Sequence, residues 1–153
     1  MATIAQASQN WSRIANQAYL TSILLRVIKE TEPIAISLQK QQLEEGYNNE
    51  EQEIGRYKAS SQSIYESEGR TSNKPKIEGE LFNFDDTGDF LEGIQLKFTN
   101  KEVSFFSTDS KTPELIGKYR NLFGLDPYNF RNYIVNSVLP KFIFQLRKDL
   151  KLI

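Results

Sequence analysis

Apolar residues in the first thirty positions recur at spacings of three and four. Ile4, Ala7, Trp11, Ile14, Ala15, Ala18, Leu25 and Ile28 share one helical stripe, and neither Pro nor Gly occurs between Ser8 and Thr31. The pattern predicts one long N-terminal helix over residues 3–31. Leu20, Ile23, Leu24 and Val27 widen its apolar face, as in a central core helix or one that also meets another subunit. Glu32-Pro33 ends or kinks it, because proline disfavours helical geometry in the residue before it. Ile34 to Glu45 carries a partial stripe through Leu38 and Leu43 and reads as a shorter second helix stopped by Gly46, with a strand as the alternative because Ile34, Ile36 and Leu38 alternate.

From residue 46 to 80 the periodicity is lost. Gly, Ser, Asn and Glu dominate, with Tyr47, Ile54, Tyr57, Ile64 and Tyr65 as isolated apolar points. The run is long for an ordinary connection, so it reads as an extended polar arm. Its tyrosines favour docking on a neighbouring subunit; a loop pinned on its own domain is the alternative.

Order returns at Leu81. The block LFNFDDTGDFLEGIQLKF, Leu81 to Phe98, places a Thr87-Gly88 break between two aromatic-rich runs. Ile94, Leu96 and Phe98 alternate with Gln95 and Lys97, and Val103 to Ser107 returns after a Thr99-Asn100-Lys101 turn. These predict an antiparallel hairpin at about 93–107. Thr112-Pro113-Glu114 predicts a capped helix running to Gly124. Asp126-Pro127 starts a final helix reaching about Leu150, with Phe130, Ile134, Val138, Phe142 and Leu146 as its stripe and Pro140 as a kink. The expected class is α+β, a small antiparallel sheet packed by C-terminal helices. The expected organisation is one domain over 1–153, with a helical part (1–45), the arm (46–80) and the hairpin with its helices (81–153).

Composition changes this picture in two respects. Hydrophobic residues make up 39% of the 153 positions, yet there are 10 Phe and 7 Tyr, which suits a folded core beside a polar segment. There is no Cys and no His. Thiolate sites, disulfides and imidazole-based acid–base schemes are therefore excluded. Asp85, Asp86 and Asp89 form a tight carboxylate cluster, but their spacing fits no calcium loop and suits turn formation. No glycine pattern supports nucleotide binding. No catalytic residue, cofactor or metal is expected. A carboxylate or metal-dependent enzyme on the three aspartates remains a third reading.

The net charge of −1 hides a segregation. Residues 1–29 carry three bases and no acid, residues 30–90 carry 14 acids and 6 bases, and residues 91–153 carry 10 bases and 6 acids. Basic ends around an acidic middle suit end-to-middle self-association, or complementarity within one chain. The basic C-terminal residues alternate with Phe142, Phe144 and Leu146, which read as core at that spacing, with a nucleic-acid face as the alternative. No leader segment and no membrane span is expected.

QQLEEG (Gln41–Gly46), IGRY (Ile54–Tyr57), LFNFDDTGDFLEGI (Leu81–Ile94), Val103–Ser107 and LFGLDPYNFRNYI (Leu122–Ile134) follow one another in an order that resembles the neck and tail-completion (head–tail joining) proteins of tailed bacteriophages. The resemblance covers roughly residues 38–150. It implies a structural virion protein of the neck or tail, made in the host cytoplasm. Such a protein forms a homo-oligomeric ring that seals or terminates the tail and lets double-stranded DNA pass without specific binding. It implies portal, connector or tail-tube proteins as partners, no membrane and no small-molecule substrate. Tyr57, Tyr65, Phe90 and Leu91 are the candidate interaction anchors. The alternative is a small module that binds protein or single-stranded nucleic acid through its basic C-terminal helix.

Overall fold

The computed structural model describes residues 4–69 and 74–152. Residue 3, where the first helix was expected to start, lies outside that range, as do the side chains of Ile4, Ala7, Arg13 and Ile14. The class is α+β, as the hydrophobic pattern predicts. The chain divides into two compact units: residues 1–34 with 131–153, and residues 35–130.

In the first unit the expected long helix is two helices, α1 (Ile4–Ile14) and α2 (Gln17–Glu30). The break lies at Asn16, whose backbone is extended and whose side chain accepts a hydrogen bond from Ala18 N at 2.9 Å. An asparagine amide offers the backbone a partner outside the helix, so it caps one helix where the apolar spacing alone implies continuity. Thr31 is the one residue between α2 and α3 (Glu32–Glu44), and its hydroxyl donates to Val27 O at 2.8 Å. Pro33 falls in the first turn of α3, where its missing N–H costs nothing.

The final helix is interrupted. Asp126 caps α7 (Pro127–Tyr133), its carboxylate accepting from Asn129 N at 2.7 Å. A π turn follows at Ile134–Val138, and then α8 (Leu139–Asp149). The distortion expected at Pro140 lies one turn earlier, where the wider turn leaves room for a ring that would otherwise meet a carbonyl of the preceding turn. Tyr133 and Val138 are both buried and lie five apart, the spacing of a π turn. α2 contacts both the π turn and α8. A hydrogen bond joins Tyr19 to Asp149, and Thr31 Oγ1 lies 2.7 Å from the Tyr133 hydroxyl, so α2 and α8 run antiparallel.

The second unit is built on the hairpin β1 (Ile94–Phe98) and β2 (Val103–Ser107), with Leu96 opposite Phe105. A short helix α5 (Asp89–Glu92) precedes it and starts at Gly88, whose φ of 86° requires glycine. Phe90, Leu91 and Ile94 pack with Leu43 and Leu122 into one core, and Phe105, Leu115 and Tyr119 pack against them. α3 ends as predicted at Gly46: Gly46 N donates to Leu43 O and Tyr47 N to Gln42 O, the paired bonds of a Schellman cap.

Two expected boundaries move. α6 (Thr112–Lys118) has Lys111 at its cap position, while Thr112 is the first helical residue and its buried hydroxyl has no partner. α6 also ends at Lys118 and not at Gly124. Beyond it the chain turns extended at Tyr119 and is held by two buried glutamines of α3. Gln39 accepts from Gly124 N at 2.7 Å and Gln42 from Asp126 N at 2.8 Å. The Gln42 amide also donates to Gly124 O at 3.0 Å.

Among its described residues, the segment expected as an extended arm is tied to its own unit. Residues 59–67 form α4 (Ala59–Ser67). Single bridges join Tyr47 to Glu53 and Arg56 to Leu81, and Phe82 N donates to Gly55 O at 2.9 Å. Its backbone donors find partners in the chain's own loops, so the pinned-loop alternative describes it.

Candidate functional site

The block around Thr87-Gly88 lines a cavity of about 260 Å³ in the second unit. Its wall is a chain of aromatic rings. Tyr57 meets Phe82 edge-on at 4.9 Å, Phe82 meets Tyr119 at 5.5 Å, and Tyr119 meets Phe84 at 5.8 Å. Such edge-to-face pairs align positive ring edges with negative ring faces. Phe84 and Phe90, at 5.6 Å, carry the chain into the core. Phe84 has a φ of 53°, unusual for a bulky side chain, and its turn is held by Asn83 Oδ1 accepting from Asp85 N at 3.0 Å.

Charges of both signs rim this cavity. Asp86 pairs with Lys76 at 2.7 Å and with Lys111 at 3.6 Å, while Lys118 lies 5.2 Å from the centre of the Tyr119 ring. Asp89 belongs to α5 and accepts from Thr87 Oγ1 at 2.7 Å. The three aspartates are thus turn and ion-pair residues. No group of three or more His, Cys, Asp or Glu that could hold a metal ion occurs among the described residues. The Tyr57 hydroxyl is committed to Asn83 Oδ1 at 2.8 Å, and burial pushes its pKa up, so the phenol stays neutral. The cavity offers shape and contact.

The four expected anchors separate. Phe90 and Leu91 are 5% and 6% exposed and belong to the core, which corrects their reading as contact residues. Tyr57 is half-buried in the aromatic wall, and Tyr65 is half-buried on α4. A buried core aromatic and an interface aromatic look alike in sequence, and only the packing of Leu43 and Ile94 around Phe90 separates them.

A surface that the periodicity did not reveal lies on the π turn and α8. Val135, Leu139 and Ile143 stand four residues apart and are 49%, 43% and 41% exposed; Phe144 beside them is 59% exposed. Arg147 and Lys148 continue the two rows in solvent. The opposite face, with Tyr133, Val138, Phe142 and Leu146, is the inward one. Phe144, expected in the core with Phe142 and Leu146, is therefore on the outside. A second stripe one position out of phase was the available signal; the stronger Ile134–Val138–Phe142–Leu146 stripe masked it.

No protein-family model, no curated protein and no solved structure matches this chain. Function must be read from these surfaces. Among the described residues, no helix is long and apolar enough to cross a membrane.

Proposed function

We propose that this chain is a non-enzymatic structural protein of a tailed-phage virion. In this reading it forms part of the head–tail neck, or completes the tail, as a homo-oligomeric ring through which DNA passes. The observation that carries the reading is the outer face of α8. Val135, Leu139, Ile143 and Phe144 stand exposed together on the face opposite Tyr133, Val138, Phe142 and Leu146. Clustered apolar exposure of this kind suits a protein contact surface. The order of motifs from Gln41 to Ile134 supplies the finer assignment and the partners: other copies, and portal, connector or tail-tube proteins.

Light scattering on a sizing column, over a range of protein concentrations, tests the reading, with electron microscopy of any discrete species. A defined oligomer with a central opening is expected. A chain that stays monomeric and also fails to bind purified portal rings or tail tubes would overturn it.

One observation favours the alternative module. Phe144 is exposed one turn before Lys148, and an aromatic beside a cation is a stacking platform for single-stranded nucleic acid. Salt-dependent oligonucleotide binding separates that reading from the first.

A further inference from the structure

The two units carry opposite charge. Residues 1–34 with 131–153 hold eight bases and three acids, a net of +5, while residues 35–130 hold eleven bases and seventeen acids, a net of −6. We infer that the outer face of α8 receives the acidic unit of a second copy, so that the chain associates head to tail. This deepens the proposed ring and rests on that reading.

Charge decides which surface of the second copy fits. Two α8 faces laid antiparallel would leave Arg147 and Lys148 opposite the uncharged Val135 end without an acidic partner, and laid parallel would bring them against their own kind. Like charges facing one another across an interface select against that pairing, and opposite fields steer the mixed one. The acidic unit also offers apolar points among its carboxylates. Ile64 on α4 and Ile77 are exposed, with Glu66, Glu78 and Glu80 close by in sequence. Gln62 of α4 accepts from Glu78 N at 2.8 Å, which fixes these two stretches together. Neither Glu78 nor Glu80 makes an ion pair among the described residues, and neither does Arg147 nor Lys148. By contrast Glu53 is paired with Arg56, and Glu44 with Lys74. The cations beside Ile77 are already paired, Arg56 with Glu53, Lys74 with Glu44 and Lys76 with Asp86, so the charges each surface leaves without an ion pair are negative at Glu78 and Glu80 and positive at Arg147 and Lys148. A contact between two different patches is heterologous; it closes into a ring when its rotation closes and otherwise propagates.

Paired charge reversals test the inference, read by sedimentation of the full chain at low and high salt. Arg147→Glu with Lys148→Glu, and separately Glu78→Lys with Glu80→Lys, are each expected to weaken self-association about tenfold or more. An equimolar mixture of the two variants is expected to associate again, because each supplies the surface that the other has lost. All four side chains are in solvent, so an unchanged melting temperature certifies the fold. Wild type that associates while both variants associate equally well overturns this inference and leaves the ring reading standing. A mixture that fails to recover, or wild type that prefers anionic vesicles to itself, also overturns it. Wild type that never associates, alone or on portal rings, removes both.

Discussion

Replacing Gln42 with leucine would remove two hydrogen bonds and leave the backbone groups they served inside the second unit. Gln42 is 1% exposed; its Oε1 accepts from Asp126 N at 2.8 Å and its Nε2 donates to Gly124 O at 3.0 Å. Leucine fills nearly the same volume, so little of the effect comes from packing. An orphaned buried N–H or C=O costs about 1–3 kcal/mol. The Asp126 amide is buried and takes the larger share, while Gly124 O is partly open and recovers some hydration. Allowing about 1 kcal/mol back for the added apolar burial, the net loss is about 2–3 kcal/mol. At about 2–4 °C per kcal/mol for a chain of this size, the melting temperature falls by about 5–10 °C. Thermal melting followed by circular dichroism gives the magnitude. Amide exchange gives the place, because Asp126 N–H loses its acceptor and should exchange faster while the hairpin amides of Ile94–Phe98 stay protected. The control is Gln41→Leu, whose wild-type amide reaches only the exposed Glu45 at 2.9 Å. If Gln42→Leu melts within about 0.5 kcal/mol of that control, the two glutamines do not hold the loop and the reasoning fails.

Two glycines should respond in opposite directions. A Cβ at Gly55 runs into the Phe82 ring, so Gly55→Ala is expected to cost about 1–3 kcal/mol, whereas Gly117 in α6 has open space and Gly117→Ala should gain about 0.5–1 kcal/mol; urea titration checks both. Alkaline stability should depend on Tyr133. Burial, the largest cause, pushes its pKa above the ordinary 10.0; Thr31 opposes that and Glu32 adds to it. The unfolded chain then releases this proton near pH 10 while the folded chain still holds it, so the contribution is whole below about pH 10 and is lost as pH rises through the folded value. Melting curves between pH 8 and 11 are expected to fall less steeply for Tyr133→Phe than for wild type.

Much of the fold was readable from the chain because its signals are local. The hairpin follows from two-residue alternation around a short turn, and the stop of α3 follows from Gly46, whose φ is 85°. The Asp126-Pro127 start is a cap whose chemistry sits in adjacent residues. What stayed hidden depends on distant partners. Gln39, Gln41 and Gln42 are one polar run in sequence, yet two are buried against residues more than eighty positions away and one is not. The break at Asn16 lost to the apolar spacing around it, because an amide cap is weak beside a continuous stripe. The polar stretch after Gly46 lacks periodicity because bridges and side-chain contacts order it, and neither repeats at a fixed interval. The outer face of α8 was missed since exposure cannot be read from apolar character.

The π turn at Ile134–Val138 means that the last helix carries one residue more than its own geometry needs. Tyr133 and Val138 face the same side only because the wide turn takes up the extra residue; in a regular helix, positions five apart diverge by about 140°. Losing one residue within that turn would let the helix close to its ordinary pitch with Val138, Phe142 and Leu146 still pointing inward. The room beside Pro140 would be lost, and Val135 inside the turn would shift, but Leu139, Ile143 and Phe144 would keep their direction. A deletion or insertion inside α8 has no such reserve and would swing part of both rows around the axis. The helix thus tolerates a change of length at one place, and of the surface assigned to assembly that place holds only Val135.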